Sequence, residues 1–381
     1  MGSTLHANLT PYPPGAFGGI FTAGVQERFR FRVNQERAEL NALYQGMRNH
    51  RLRMGIGTTL AEVSDVNEKR NFIIGLTGRP RPLSRLTDID SLDLEPFLSE
   101  KQRTVEYAFL QDEWRFAPDW TLTTGGRFDH YSDFGSTFNP RLSLVWNLSP
   151  SLTSKLLYGR SFRAPSFTEL YGNSQLALVG DPHLKPETLD MIQFVLAKQW
   201  GRALSTSINL FWYHLNDQIR GEVNPATPAS PVQVVNGVGL NGHGLEFETQ
   251  YRLTERISLS GNYAYQRAED KQYHESPGQA PEHQIYGELN WQLTPDWALN
   301  SHLKWIGARQ RPPGYQGQAD AYTLVGITLR RFDSQNRWEA ALSINNLLNA
   351  DAREPSFYPA SLPYDIPLAG RNLIGQLKVR F

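Results

Sequence analysis

The sequence lacks cysteine and lacks any long apolar run. Without cysteine, disulfides, thiolate zinc sites and cysteine nucleophiles are excluded. No stretch of about 18 apolar residues occurs, which excludes transmembrane helices. The composition leaves room for a transmembrane β-barrel, because such a strand faces lipid with only every second residue and its mean hydropathy resembles that of a soluble protein.

Charge and motifs exclude two further function classes. Basic residues number 38 and acidic residues also 38, so no net positive field indicates nucleic-acid binding. The motifs G-x-S-x-G, H-E-x-x-H and the P-loop are absent, so the sequence indicates neither an enzyme nor a cofactor. The N-terminus shows no charged segment followed by an apolar one, so no export signal is visible.

What the sequence does contain is long alternation of apolar and polar residues. The stretch 139–171 reads NPRLSLVWNLSPSLTSKLLYGRSFRAPSFTELY. In its first half, apolar residues such as Leu142 and Leu144 fall on one parity and polar residues on the other, which is typical of a β-strand. A turn at Ser149-Pro150 then reverses the chain into a second alternating run. The stretch therefore predicts a hairpin of two long strands that ends in an irregular loop.

The same module recurs along the chain and predicts about fifteen strands. Most of them reach the roughly 9–11 residues that a tilted strand needs to cross a bilayer, whereas globular strands average only about 5–6. Besides the two runs within 139–171, the predicted strands are 28–46, 51–63, 103–116, 120–131, 187–200, 204–219, 240–253, 257–268, 283–293, 297–309, 319–332, 337–346 and a last strand that ends at Phe381.

The connections between these strands alternate in length. Short turns are predicted near Asn49, Pro118, Pro150, Gly201, Glu255, Pro295 and Ser334, and long links at 64–102, 163–186, 220–239, 269–281, 310–318 and 347–369. Short turns on one side and long loops on the other are typical of bacterial outer-membrane barrels, in which the short turns are periplasmic. The predicted fold is therefore all-β, a transmembrane antiparallel β-barrel.

Tryptophan placement favours the same fold. All tryptophans except Trp212 and Trp305 lie within a few residues of a predicted short turn, as a belt at one membrane interface requires. The alternative is that tryptophan marks strand ends in any β protein.

The ends of the chain predict a division at residue 27. Residues 1–27 are rich in Gly and Pro without a period, which predicts an irregular N-terminal segment, and 28–381 are predicted as barrel. If the last strand descends to the periplasm, counting back places 1–27 on the outer side. Bacterial single-chain barrels have an even number of strands, so we expect the chain to be the C-terminal portion of a larger, truncated barrel.

Several segments carry a family resemblance. "NPRLSLVW", "LLYGRSFRAPSFTELY", "GDPHLKPETLDMIQF", "INNLLNADAREP" and the closing "AGRNLIGQLKVRF" together resemble the barrel signature of TonB-dependent outer-membrane receptors. The resemblance implies a barrel of about 22 strands, filled by an N-terminal plug domain that bears a TonB-binding segment. Neither is visible here, so both would lie upstream. It also implies that Phe381 is the C-terminal aromatic read by the barrel-assembly machinery.

Ligand capture is expected on the outer loops and the inner wall. Anionic iron chelates favour arginine combined with aromatic rings, which supply charge and stacking together. The candidates are Arg163, Tyr171, Arg220, Arg309, Arg311, Tyr315, Phe357, Tyr358 and Tyr364. The alternative for each is a rim residue at the water interface.

The resemblance also bears on the ligand class. Haem receptors of this family place an axial histidine between a segment like 162–165 and one like 181–184. Here no histidine lies between the two, and His183 sits inside the second. Because such segments also occur in siderophore and cobalamin receptors of the family, haem is ranked below a ferric siderophore, which is the preferred ligand, and cobalamin and haem stay as the other ligand classes.

Two loop segments could hold a metal ion. His274 and His283 flank an irregular stretch, and a histidine pair could ligate a transition metal. Acidic residues at Asp88, Asp90, Asp93 and Glu95 could offer oxygen ligands to calcium. A solvated loop is the preferred interpretation of both, so no metal site is predicted.

The preferred functional hypothesis is the barrel of a receptor that takes up a ferric siderophore. Its partners would be outer-membrane lipid, the iron chelate, the barrel-assembly machinery and, if a plug exists upstream, the TonB complex. The alternatives are a plugless passive pore or a fragment without transport activity, and a soluble β-rich binding protein.

Overall fold

The structure, a computed structural model, describes residues 2–75, 79–174, 176, 178–222, 231–311, 317–333, 335, 337–356 and 365–380. Within these ranges, sixteen long strands form one antiparallel sheet in which each strand pairs with the next along the chain. They are β1 (Gly2–Tyr12), β2 (Val25–Tyr44), β3 (His50–Ile74), β4 (Lys101–Ala117), β5 (Trp120–Tyr131), β6 (Gly135–Ser149), β7 (Leu152–Arg163), β8 (Glu187–Trp200), β9 (Leu204–Asn216), β10 (Leu240–Arg252), β11 (Ile257–Asp270), β12 (His283–Thr294), β13 (Trp297–Ile306), β14 (Tyr322–Phe332), β15 (Trp338–Asn345) and β16 (Asn372–Val379).

Shorter helical turns and strands lie at one end of this sheet. The helical ones are the 3₁₀ turn Ile89–Leu92 and α1 (Phe167–Tyr171), and the short strands are Pro80–Asp88, Asn173–Ser174, Leu178–Val179, Ile219–Glu222, Val232–Asn236, Arg309–Gln310, Gln318–Ala319, Arg353–Glu354 and Ile366–Pro367. Ser166 caps α1 in a capping box with Glu169, which satisfies the free N–H groups at its start. None of the described helices is long and apolar enough to cross a membrane.

One face of the sheet is apolar and the other is polar. Successive side chains of a strand point to opposite faces. On one face Leu40 lies opposite Ile56 and Phe128 opposite Phe138, and all four are exposed. A continuous exposed apolar surface of this extent needs a non-aqueous partner. The predicted all-β transmembrane barrel wall is confirmed, with the apolar face toward lipid and the polar face toward the lumen.

The turn pattern is also confirmed. All seven predicted short turns connect consecutive strands, as between Ala117 and Trp120 or between Ser149 and Leu152, although Ser334 itself lies outside the described residues. Because the strands are antiparallel, these turns share one end of the wall, which we call the short-turn end. The long connections share the opposite end, the long-loop end.

Tryptophans mark both ends of the apolar face. At the short-turn end, Trp120 and Trp146 stack with ring centroids 4.7 Å apart. Trp212 and Trp305, the two exceptions to the predicted belt, share the apolar face with Ile192 and Ile285, their respective partners on neighbouring strands. They lie roughly 20 Å up tilted strands from the short-turn end. They therefore form part of the second aromatic girdle that a membrane barrel carries.

Two segments predicted to be irregular are in fact strands. Residues 1–27 contain β1, which pairs with β2 from Gly2 opposite Asn34 to Tyr12 opposite Val25. The boundary predicted at residue 27 consequently falls inside β2. The predicted loop at 64–102 is strand as far as Ile74, because β3 continues past a register shift. Both predictions of irregular structure are wrong for these residues.

Candidate ligand-binding mouth and lumen

The mouth of the wall is the long-loop end together with its connecting loops. Most of the candidate residues predicted from sequence belong to it. Those within the described ranges are Arg163, Tyr171, Arg220, Arg309 and Arg311. Tyr315, Phe357, Tyr358 and Tyr364 lie outside the described residues, as does Phe381.

Arg163 and Tyr171 lie at the two ends of the loop segment that includes α1. The Arg163 guanidinium contacts Glu187 at 2.8 Å and Glu169 at 2.9 Å, and the hydrogen bond to Glu187 raises the pKa of Arg163 further above its usual range. The ammonium of Lys101 lies 4.7 Å from the centre of the Tyr171 ring. Both candidates therefore hold this loop against the strands beside it.

Arg220 joins three segments of the mouth. Its guanidinium contacts Asp270 at 3.1 Å and Glu222 at 2.8 Å, and it lies 5.3 Å from the centre of the Tyr273 ring. Two carboxylates on one arginine leave no excess positive charge at this point, so a bound anion would have to compete with them.

Arg309 and Arg311 are likewise paired. Arg309 is only 3% exposed, forms an ion pair with Glu354 and donates to the Arg353 carbonyl at 2.6 Å. Arg311 contacts Asp365 at 2.8 Å. Direct access of a ligand to Arg309 would require local opening, whereas Arg311 remains partly exposed.

Arg103 is a mouth residue that the sequence did not single out. Its guanidinium contacts Asp133 at 2.7 Å and donates to the Pro165 carbonyl at 2.8 Å. Three aromatic rings surround it within 5.8 Å, those of Tyr131, Phe134 and Phe167. Arg103 thereby fixes the start of the loop that carries α1. Nothing in the local sequence distinguishes it from the other arginines, because its partners come from distant positions.

A buried ionic cluster lies beneath the loops of the mouth. Glu27, Glu68 and Arg70 are all less than 5% exposed. Arg70 pairs with Glu68 and lies 3.8 Å from Glu27, while Glu68 accepts from the Phe97 amide at 2.6 Å. Burial raises the pKa of the Glu27 carboxyl to about 7, an effect that Arg70 opposes, nearby Glu68 reinforces and the Ser174 hydroxyl opposes. Because the same cluster holds the Phe97 amide, the protonation of Glu27 is coupled to the attachment of the loop that contains Phe97.

We predict that loop attachment weakens as pH rises. The folded pKa of Glu27 exceeds its ordinary value of 4.5, so the stabilisation is complete below about pH 4.5 and is lost as pH rises through about 7. Between pH 5 and pH 8 the free energy of local opening should fall by about 2 kcal/mol. Hydrogen exchange at the Phe97 and Asn173 amides measures it. Glu27→Gln should flatten the pH dependence, and an unchanged slope in that variant would contradict the assignment.

The lumen face carries a second polar cluster below the mouth. Arg37, Glu39 and Tyr107 are mutually hydrogen-bonded, with the Tyr107 hydroxyl donating to Glu39 at 2.6 Å. The tyrosine ring lies over Gly57, where a Cβ would come within 2.4 Å of it. Only glycine gives the ring this position. Beside it, Arg127 contacts Asp129 at 2.6 Å.

Two further arginines of the lumen face, next to this cluster, carry a positive charge that no carboxylate of the described residues neutralises. Arg53 lies 5.9 Å from the centre of the Phe109 ring, and Arg141 donates to the Gln111 amide oxygen at 2.8 Å. Neither has a carboxylate partner in the described part of the chain. Both line a cavity of about 340 Å³. The lumen wall therefore presents a net positive surface with aromatic rings, at positions that could have been identified from the polar parity of their strands.

The two loop segments that could hold a metal ion, and for which a solvated loop is the preferred interpretation, hold their side chains in other contacts. His274 pairs with Glu269 at 3.1 Å, whereas His283 hydrogen-bonds the Tyr263 hydroxyl at 2.8 Å. Asp88 caps the 3₁₀ turn by accepting from the Asp90 amide. Across the described ranges, no group of three or more His, Asp or Glu side chains is arranged to hold a metal ion.

Comparisons with known proteins agree with this architecture. A family model described as "TonB dependent receptor-like, beta-barrel" matches residues 4–347. The "Iron-regulated outer membrane virulence protein" of Vibrio cholerae is 31% identical over 59% of this chain and 38% of its own length. The "Ferric enterobactin receptor" of Pseudomonas aeruginosa is 25% identical over 67% of this chain and 35% of its own length.

Solved structures show the same fold. The siderophore receptor PirA from Acinetobacter baumannii superposes with a TM-score of 0.74 at 18% identity, covering all of this chain and 59% of that one. The chain spans about two fifths of the length of the curated relatives it matches.

Proposed function

The chain belongs to the TonB-dependent receptor family of outer-membrane β-barrels, and we propose that it forms the barrel wall and the mouth of a receptor that takes up a ferric siderophore. Energy for uptake would come from the TonB complex through a plug, and assembly from the barrel-assembly machinery. The protein is a receptor of the Gram-negative outer membrane rather than an enzyme.

The observation that carries this proposal is the lumen surface around Arg53 and Arg141. A ferric siderophore with net negative charge is attracted by uncompensated guanidinium groups that line a cleft whose walls are of low dielectric constant. The relatives, an iron-regulated outer-membrane protein and a ferric enterobactin receptor, support iron chelates over other anions. The candidate mouth residues would then order the loops that first meet the ligand, and Arg163 and Arg311 would contact it after partial release from their carboxylates.

Ligand binding to the purified chain tests the proposal. Ferric enterobactin should quench tryptophan fluorescence saturably when the chain is folded in detergent, while haemin and cyanocobalamin should not compete. Binding of cyanocobalamin or haemin in preference to ferric enterobactin would overturn the siderophore assignment.

We predict that the lumen arginines control capture of the anion. The double variant Arg53→Gln/Arg141→Gln should lower the association rate of ferric enterobactin about tenfold at low ionic strength, because it removes the uncompensated charge. Stopped-flow fluorescence measures the rate. Arg252→Gln is the matched control for each of the two single variants, since Arg252 is an exposed arginine on the lumen face at the short-turn end. An equal reduction in the Arg252 variant and in the single variants of Arg53 and Arg141 would indicate a non-specific charge effect and contradict the prediction.

The alternative function is a passive pore. The described residues include no plug domain, and a wall of this strand number can surround an aqueous channel once its two edge strands, β1 and β16, are joined, a pairing that the described residues do not make. Conductance of the chain in planar bilayers separates the two functions. A stable large channel that ferric enterobactin does not block would favour the pore.

A further inference from the structure

An arginine between two tryptophans stands on the lipid-facing surface at the short-turn end. Arg331, near the end of β14, lies opposite Trp297 in the register of β13. Its guanidinium carbon is 5.4 Å from the centre of the Trp297 ring and 5.6 Å from that of Trp338. Leu329, two residues earlier on the same face, is opposite Leu342 and Leu299. The arginine therefore sits where the apolar face ends.

The charge of Arg331 is not neutralised by the protein. Its side chain is exposed and has no ion pair or hydrogen bond within the described ranges. The neighbouring charges are engaged elsewhere, since Arg330 pairs with Glu339 on the lumen face and Asp333 with Arg337 in the turn. A second lipid-facing cation at this end, Lys198, lies 5.5 Å from the centre of the Trp200 ring but donates to the Ser151 hydroxyl at 3.0 Å.

The chemistry of the site fits a phosphodiester. A guanidinium that contacts aromatic faces keeps its edge N–H groups, which match two phosphate oxygens in a bidentate pair. Each indole adds one N–H donor, and tryptophan rings prefer the level of the lipid headgroups. The carboxylates of the adjacent turns, Asp296 and Asp333, form no ion pair with Arg331 within the described ranges, and Asp333 is held by Arg337.

We propose that Arg331, Trp297 and Trp338 form a binding site for the headgroup phosphate of a glycerophospholipid. Short turns of such barrels face the periplasm, so the lipid belongs to the periplasmic leaflet. The acyl chains lie along Leu329 and Leu342, which continue the same face toward the membrane centre. The site is independent of ligand uptake and fixes the depth of this part of the wall in the bilayer.

Lipid titration of the delipidated chain tests the site. Native mass spectrometry in detergent should detect one tightly held phosphatidylglycerol, which Arg331→Gln weakens about tenfold, the value expected for loss of a charge-assisted contact. Diacylglycerol with the same acyl chains lacks the phosphate. It should therefore bind the unsubstituted protein about as weakly as phosphatidylglycerol binds the Arg331→Gln variant. Arg252→Gln, at the same end on the lumen face, should bind phosphatidylglycerol normally.

Two results would overturn the proposal. One is equal phosphatidylglycerol affinity in Arg331→Gln and the original chain, and the other is equal affinity of the original chain for diacylglycerol. If the Arg331→Gln variant does not fold, the Arg331→Lys variant tests the proposal instead. It keeps the charge but loses the planar fork, so we expect several-fold weaker binding, and unchanged binding would count against a bidentate site.

Discussion

Arginine at Leu156 should destabilise the wall by about 2–4 kcal/mol in a phospholipid bilayer, whereas arginine at Leu157 should cost less than about 1 kcal/mol. Leu156 is 48% exposed and lies opposite Leu144 and Phe194, in the middle of the lipid-facing surface. The guanidinium of an arginine at position 156 must either enter the hydrocarbon of the bilayer or extend a long way to the aqueous interface, and both are energetically costly. The side chain of Leu157 points to the lumen, where water solvates an arginine.

The two substitutions form an unusually close control pair. They introduce the same side chain for the same residue, one position apart on β7, and differ only in the face they occupy. Urea unfolding in phosphatidylcholine vesicles, followed by tryptophan fluorescence, gives both free energies of unfolding. Equal losses would contradict the assignment of faces, and a larger loss at Leu157 would reverse it.

The strands were predictable where alternation runs unbroken. The hairpin of β6 and β7 appears as predicted, because a strand buried on one face repeats every two residues. The end of β3 was missed because Asp65 has a positive φ of 51° beside the register shift opposite Arg30 and Arg32. A bulge reverses the parity of every later side chain. Even-numbered residues of β3 face the lipid before the bulge, whereas the even-numbered Glu68 and Arg70 after it face inward. The alternation of apolar and polar residues along β3 is therefore broken, and the sequence looks irregular there.

The candidate site was predictable only in part. Arginine and aromatic residues of the mouth were identified by type, but their partners depend on strand register. Arg163 meets Glu187 because β7 and β8 pair at that position, and Arg220 meets Asp270, fifty residues later in the chain. Sequence spacing cannot show such ion pairs. The lumen arginines, by contrast, follow from parity once the lipid-facing set is known.

The loop that begins at the end of β7 should detach when Arg103 is removed. Arg103→Met leaves the Asp133 carboxylate, whose side chain is only 7% exposed, without its cation, and loss of one partner of a buried pair costs about 3–5 kcal/mol. The Pro165 carbonyl and the Phe167 ring lose the same contact. Hydrogen exchange of the Leu170 and Gly172 amides, which close α1, should then accelerate.

A paired substitution separates the buried charge from simple loss of packing. Arg103→Met/Asp133→Leu removes both charges, so most of the protection should return, since replacing both partners by apolar groups is far less costly than stranding one. Arg115→Met, an exposed arginine at the other end of β4, should change stability by less than about 0.5 kcal/mol. If the double variant exchanges as fast as the single one, the aromatic contacts rather than the ion pair hold the loop. A ligand that rests on this loop then depends on ring packing at Phe167, and binding would be insensitive to the charge of Asp133.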